Sequence, residues 1–230
     1  MFANPPDTLV RLILYGGARE INAENLPHKL GIQHNNTFGN AAFRLKKEYL
    51  VNKPAHIKVK VVKVQTGEEV VFILNKQKEN SILSLDLITH SDVPSLNMSA
   101  QENTNCGIYT DKKGKRFVEK IHKKGYHFVE KSRSFSDIDY SRFSDTAKIE
   151  FHGCKTAGNE WFCRNTSHFF SQKLADIGKK QAIVIGHIGK SETLILKKGE
   201  NIADYRHKLR VVYKNGKVAY RTHKKGRISS

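Results

Sequence analysis

The stretch AKIEFHGCKTAG (Ala147–Gly158) reads as a buried strand that ends in His, Gly and Cys and is followed by small and polar residues. A thiol and an imidazole at the point where a strand gives way to a loop admit two readings. Buried cysteine is common, so Cys154 is either a small side chain filling a corner or a nucleophile held at a sheet edge. What the rest of the chain places beside it decides between them.

Working outward, TLVRLILYGG reads as a strand stopped by a glycine pair. NNTFGNAAFRLKKEYLVN reads as a helix with Phe38, Ala42, Leu45 and Tyr49 on one face and Asn36 or Thr37 as its cap. HIKVKVVKVQTG alternates apolar and basic residues, the pattern of a strand with one wet face, and EEVVFILNKQK reads as a short helix. SILSLDLITH is a second apolar strand and ends on His90. A polar segment at about 92–136 then breaks the rhythm; Phe117, Val118, Tyr126, Phe128 and Val129 suggest a hairpin or a short helix pair. Its apolar content is too small for its own core, so it reads as an insertion. SDIDYSRFSD looks like a capped turn. NTSHFFSQKLADIG reads as a helix with Phe169, Phe170, Leu174 and Ile177 inward and Gly178 as its stop. QAIVIGHIG is a buried strand, and HKLRVVYKNGKVAYRTH is a hairpin around Asn215–Gly216.

Strands alternating with helices imply an α/β fold with a mainly parallel sheet and helices on both faces. We expect one domain over 1–230, with the insertion at about 92–136 and the hairpin at about 205–223. Ligand sites in such sheets lie outside the carboxyl ends of the strands, where His90, Cys154 and His187 all fall.

Composition bounds the function. Lys and Arg number 40 against 22 acids, a formal charge of +18. Such a field favours an acidic protein partner or inhibitor, an anionic surface, or nucleic acid bound without sequence preference. No recognition helix, RNP-like aromatic motif or zinc-finger spacing is present. Three cysteines in 230 residues do not make a disulfide framework. The run Leu9–Tyr15 is too short for a signal peptide or a membrane span. Folding in a reducing cytosol is therefore expected, with export or delivery by a route without a cleaved signal left open.

If the strands ending at His90 and Cys154 are parallel neighbours, both residues reach one rim. A thiolate there attacks a carbonyl while an imidazole protonates the leaving amine. Gly153 lets a substrate backbone approach, and N–H groups near Cys154 hold the oxyanion. His152 lies two residues before Cys154, on the same strand face, and reads as a hydrogen-bonded core histidine. His152, Cys154, Cys163 and His168 fit no standard zinc spacing, so neither metal nor cofactor is expected, and Cys106 reads as structural. GHIGKSE (Gly186–Glu192) lacks the phosphate-loop spacing. Its Gly186 and His187 are expected to line a wall of the substrate cleft.

A strand ending in His, a strand ending in Cys followed by KTAG, the helix FFSQKLADIG and the strand AIVIGHIG together resemble the caspase-like cysteine peptidases. The nearest flavour is the CHAT-like branch and the related domains of bacterial toxins. Their Cys-x-Thr-Gly/Ala motif is matched by Cys154–Ala157, and the resemblance covers about Leu9 to Gly189. It implies a cysteine endopeptidase with His90 as catalytic histidine and Cys154 as nucleophile, acting on a peptide or protein as a bacterial toxin or effector. The family usually has Ser-His-Gly at the histidine, the Gly supplying an oxyanion N–H; here Ser91 stands there. Two rivals follow: a non-catalytic basic binding protein of the same fold, and a nuclease toxin using His90, His152 or His187. Few acids lie near the strand ends to serve a nuclease, only Asp86, Asp92 and Glu150, and Asp86 and Glu150 fall inside strands.

Overall fold

A computed structural model describes residues 8–16, 37–51, 53–98, 104–105, 107–121, 127–128, 131–158, 164–191, 194–195, 201–202 and 204–228. The first half supplies β1 (Leu9–Tyr15), α1 (Thr37–Leu50), β2 (Ile57–Lys63), α2 (Gly67–Asn75) and β3 (Ile82–Ile88). The excursion that follows holds β4 (His90–Asp92), β5 (Ser95–Asn97), β6 (Thr104–Asn105), β7 (Gly107–Tyr109), α3 (Lys112–Ile121), β8 (His127–Phe128) and β9 (Arg133–Ser134). The second half runs β10 (Phe143–Phe151), α4 (Thr166–Asp176), β11 (Ile183–His187), β12 (Leu194–Ile195), β13 (Asn201–Ile202), β14 (Arg210–Lys214) and β15 (Lys217–Thr222).

The main sheet has seven strands in the order β15-β14-β11-β10-β3-β1-β2. β2, β1, β3, β10 and β11 are parallel, and β14 and β15 are antiparallel. The fold is therefore α/β with a mostly parallel sheet. Asn215 and Gly216, both at positive φ (51° and 67°), turn β14 into β15, as a tight hairpin requires. β2 is an edge strand, which accounts for its wet lysines.

Period-two alternation sends two different sets of side chains to the two faces. One face presents Leu12, Leu14, Leu85, Leu87, Ile149, Phe151 and Val184 to α2 and α4. The other packs Ile13 and Ile88 under α1, against Phe38, Ala41, Ala42, Leu45 and Tyr49. α2 is capped by Thr66, which accepts from the Glu69 N–H at 3.1 Å, while Glu69 reaches back to accept from the Gln65 N–H at 2.8 Å. α4 starts on Asn165, which accepts from the His168 N–H at 2.8 Å. Ile177, expected inward, is 47% exposed, because α4 ends at Asp176 and Ile177 serves as its C-cap.

The stretch expected as a hairpin or a short helix pair carries α3 and β8 among its described residues, and the excursion as a whole builds more than that. β4, β5, β7 and β9 form a second, four-stranded sheet, and α3 lies over Lys112–Ile121. It has no separate core among the described residues: Leu96, Met98, Ile108 and Phe135 join the main one. Before β10, 3-10 turns at Phe135–Asp137 and Tyr140–Arg142 are capped by Ser134 and Asp139. Parts of the segment, including Tyr126 and Val129, lie outside the described residues.

Candidate functional site

β3 and β10 are parallel neighbours, paired through Leu87 and Phe151, so the segments after them leave the sheet at one edge. The His152 N–H extends the ladder by donating to the Leu87 carbonyl at 2.9 Å. From there the chain turns away, since β10 ends at Phe151. The expectation that His152 and Cys154 share a strand face therefore fails. His152 is 2% exposed, whereas Cys154 is partly exposed in the loop.

The two loops meet directly. Ser91 Oγ donates to the Cys154 carbonyl. A side chain at Gly153 would run into the Ser91 hydroxymethyl and the Thr89 carbonyl. Glycine is thus required there by the close approach of Ser91. Thr89 in turn donates to the Asn97 carbonyl, which ties the end of β3 to β5.

The residues after Cys154 are clamped from three sides. Lys155, at φ 54°, donates its N–H to the Gly189 carbonyl at 2.8 Å, and the Ala157 N–H donates to the His187 carbonyl at 2.8 Å. Thr156 Oγ1 accepts from the His187 N–H at 2.9 Å, and the Thr156 carbonyl accepts from the Ser167 N–H at 2.9 Å. The threonine of CKTA is therefore a buried staple joining β10, β11 and the start of α4. At Gly186 a side chain would collide with Ser167 Oγ and Thr156 Oγ1. Gly186 and His187 are buried beneath this staple, and within GHIGKSE it is Ser191 that meets the thiol. Its N–H donates to Cys154 Sγ at 3.3 Å, and its carbonyl lies 3.6 Å from the same sulfur.

His90 is exposed and meets the Phe38 ring edge-on, with centroids 5.0 Å apart. Phe38 also packs on Tyr205 at 5.6 Å. Burial, and then the neighbouring Cys154, push the Tyr205 phenol up, so it stays protonated. Tyr205 is fixed by its neighbours: Arg206 bonds Asp204 Oδ1 at 3.0 Å and grips both Glu48 oxygens at 2.7 and 2.9 Å. Sequence reasoning does not reach this support, because Glu48 and Arg206 lie on segments that nothing local in the sequence relates.

Beneath the rim lies a buried ionic row. His152 Nε2 is 2.9 Å from Asp86 Oδ1, and the Tyr49 hydroxyl donates to Asp86 Oδ2 at 2.6 Å. Arg210 donates to Glu150 at 2.5 Å, and Lys148 lies 3.3 Å from its other oxygen. Burial works to raise the Glu150 carboxyl, but Lys148, His152, Arg210 and Arg206 outweigh it and hold it down at about 2. His187 is 1% exposed, and neither of its ring nitrogens has a hydrogen-bond partner among the described residues. Burial, and then His152, depress it to about 3, so it is neutral.

Asp86, Glu150 and His152 offer ligand atoms within 4.8 Å of one another. The two carboxylates already face Lys148, Arg210 and Tyr49, so a dication there would meet cations rather than unmatched negative charge. The acids of the nuclease alternative are thus occupied: Asp86 and Glu150 are buried, and Asp92 lies 3.6 Å from Lys155. His168 stacks on Tyr213 at 5.5 Å, while Cys106 and Cys163 lie outside the described residues. No helix among the described residues is long and apolar enough to cross a membrane. In comparisons with known proteins, no family model, no curated protein and no solved structure matches this chain.

Proposed function

We propose that the chain is a cysteine endopeptidase of caspase-like type, with Cys154 as nucleophile and His90 as general acid. The observation that carries this reading is the hydrogen bond from Ser91 Oγ to the Cys154 carbonyl. It holds the residue after His90 against the peptide unit of Cys154, so the segments that follow the neighbouring strands β3 and β10 bring two chemically capable residues to one contact. The Ser191 N–H aimed at the sulfur supports it, since that contact fixes where the nucleophile sits.

In the reaction, Cys154 Sγ forms a bond to the scissile carbonyl carbon and the carbonyl electrons move to oxygen. His90 then gives its proton to the amide nitrogen as the C–N bond breaks. Water hydrolyses the thioester and returns the thiol. The chemistry calls for no cofactor. Ser91 stands where the resembled family has glycine, and its backbone N–H takes the oxyanion role together with N–H groups beside Cys154. The setting proposed with it is a bacterial toxin or effector acting on a protein of the target cell.

The test is Cys154→Ala and His90→Ala against the native chain, read by cleavage of a protein substrate pool and by mass labelling with a peptide chloromethyl ketone. Both variants should lose cleavage by about 10³-fold or more, and only Cys154→Ala should lose the label outright. Because Cys154 is partly exposed, its truncation should cost less than about 1 kcal/mol. Full cleavage by Cys154→Ala would sink the peptidase reading and move the basic binding protein or the nuclease ahead.

A further inference from the structure

On the α1 side of the sheet, Arg11, Ser84 and Lys148 form one row across β1, β3 and β10, paired Arg11–Ser84 and Lys148–Ser84. The next row toward the rim holds Ile13, Asp86 and Glu150. Four cations, Arg11, Lys148, Arg210 and Arg227, therefore gather around two carboxylates. Glu150 is matched by Arg210 and Lys148, and both Asp86 oxygens are engaged by Tyr49 and His152. Arg11 and Arg227 are left over. They lie 4.7 and 5.2 Å from the centroid of the same Tyr49 ring, and neither has a carboxylate ion pair among the described residues. Arg11 Nε is buried with no hydrogen-bond partner among them. Burial first, and then Arg227, pull the Arg11 guanidinium below its ordinary value.

The space between these groups is a cavity of about 460 Å³, lined by Arg11, Ser84, Thr146, Lys148, Lys224 and Arg227 with Leu83 and Ile228; none of these is acidic. Its outer wall is built without help from any guest. Arg210 Nη2 donates to the Gly226 carbonyl at 2.9 Å, the Gly226 N–H donates to the Arg206 carbonyl at 2.8 Å, and Ile228 is buried against Ile183, Ile185 and Val212. Lys224 and Arg227 are exposed at the mouth, so a solute can reach it.

We propose that this cavity is a binding site for a small, multiply charged phosphate-type anion, seated between Arg11 and Arg227 with Lys148, Lys224 and the Ser84 and Thr146 hydroxyls as further donors. Guanidinium forks match phosphate oxygens in pairs, and a polyanion supplies the negative charge this face lacks. The cavity has room for more than one phosphate group. The site lies below the Asp86–Glu150 row, away from His90 and Cys154, and does not depend on the peptidase reading.

The experiment is calorimetric titration with sodium pyrophosphate in low salt, with inorganic phosphate, AMP and a short single-stranded oligonucleotide as further arms and sodium chloride at matched ionic strength as the baseline. Saturable binding of one pyrophosphate per chain is expected, with a thermal shift that chloride does not reproduce. Lys224→Ala and Arg227→Ala, both exposed and checked for folding by circular dichroism, should each weaken it about tenfold. Lys217→Ala, an exposed cation on β15, should leave it unchanged. Stronger AMP than pyrophosphate binding, lost in the same two variants, would support the site and assign the phosphate to a nucleotide. Binding no better than chloride, equal weakening by Lys217→Ala, or binding of the oligonucleotide alone would overturn the proposal.

Discussion

The two faces of the central sheet are built on opposite principles. Toward α4 the filling is aromatic: the Phe170 ring lies 4.9 to 5.9 Å from the rings of Tyr140, Phe143, Phe151 and Phe135, mostly edge to face. Toward α1 the same strands bury Asp86, Lys148, Glu150, His152, His187 and Arg210. The first face is held by burial and dispersion, which ask only for apolar volume of the right shape. The second is held by the matching of specific charges, where each group is costly without its partner. The difference teaches that one strand can carry a tolerant face and an exacting one, and that the exacting face is the one lying under the His90–Cys154 rim.

The comparison can be broken or sharpened by substitution. The largest effect should come from Phe170→Ala, which removes the centre of the aromatic cluster and should cost about 3–5 kcal/mol. Urea unfolding reads this directly, and a loss below about 1 kcal/mol would show that the cluster collapses without penalty. Glu150→Gln should cost about 3 kcal/mol, because it strands Arg210 and Lys148 in the interior. If instead it proves neutral, the buried ionic face is not exacting and the contrast disappears.

Acid should separate the two faces next. His187 is depressed to about 3 from an ordinary 6.5, so its contribution is present above 6.5 and is lost as pH falls toward 3. Glu150 is held at about 2 against an ordinary 4.5, so its contribution is present above 4.5 and is lost as pH falls through 2. Each group can add a slope of up to about 1.4 kcal/mol per pH unit within its window. Unfolding followed from pH 7 to pH 3 should show stability falling on acidification. Phe170→Ala should run parallel to the native chain, while Glu150→Gln should lose the steeper part below 4.5. The smallest effect belongs to Ile177→Lys, an exposed cap position, which should stay within about 0.5 kcal/mol.

The tolerant face was legible in the sequence because its rule is local. Alternation marked β1, β3, β10 and β11, and the spacing of Phe38, Ala42, Leu45 and Tyr49 marked the buried side of α1. Strand ends placed His90 and Cys154 near a common edge for the same reason. The exacting face was not legible. Asp86, Glu150 and Arg210 are each an anomalous charge inside an apolar run, and nothing nearby in the chain says which one answers which. The Ser91 contact with Cys154 and the Glu48–Arg206 clamp on Tyr205 are likewise pairings between distant segments. The helical period that would bury Ile177 runs one residue past the point where α4 stops.

The seam between β3 and β10 has a kinetic side. The residues it joins are separated by all of 89–142, so closing it sacrifices the freedom of a long loop before any of its contacts are gained. The β14–β15 hairpin, closed by a two-residue turn, faces no such barrier. Proteins dominated by distant pairings fold slowly for this reason. Closing the seam and assembling the rim are thus one event in the topology: the segments that carry His90 and Cys154 have no shared surroundings until β3 and β10 pair.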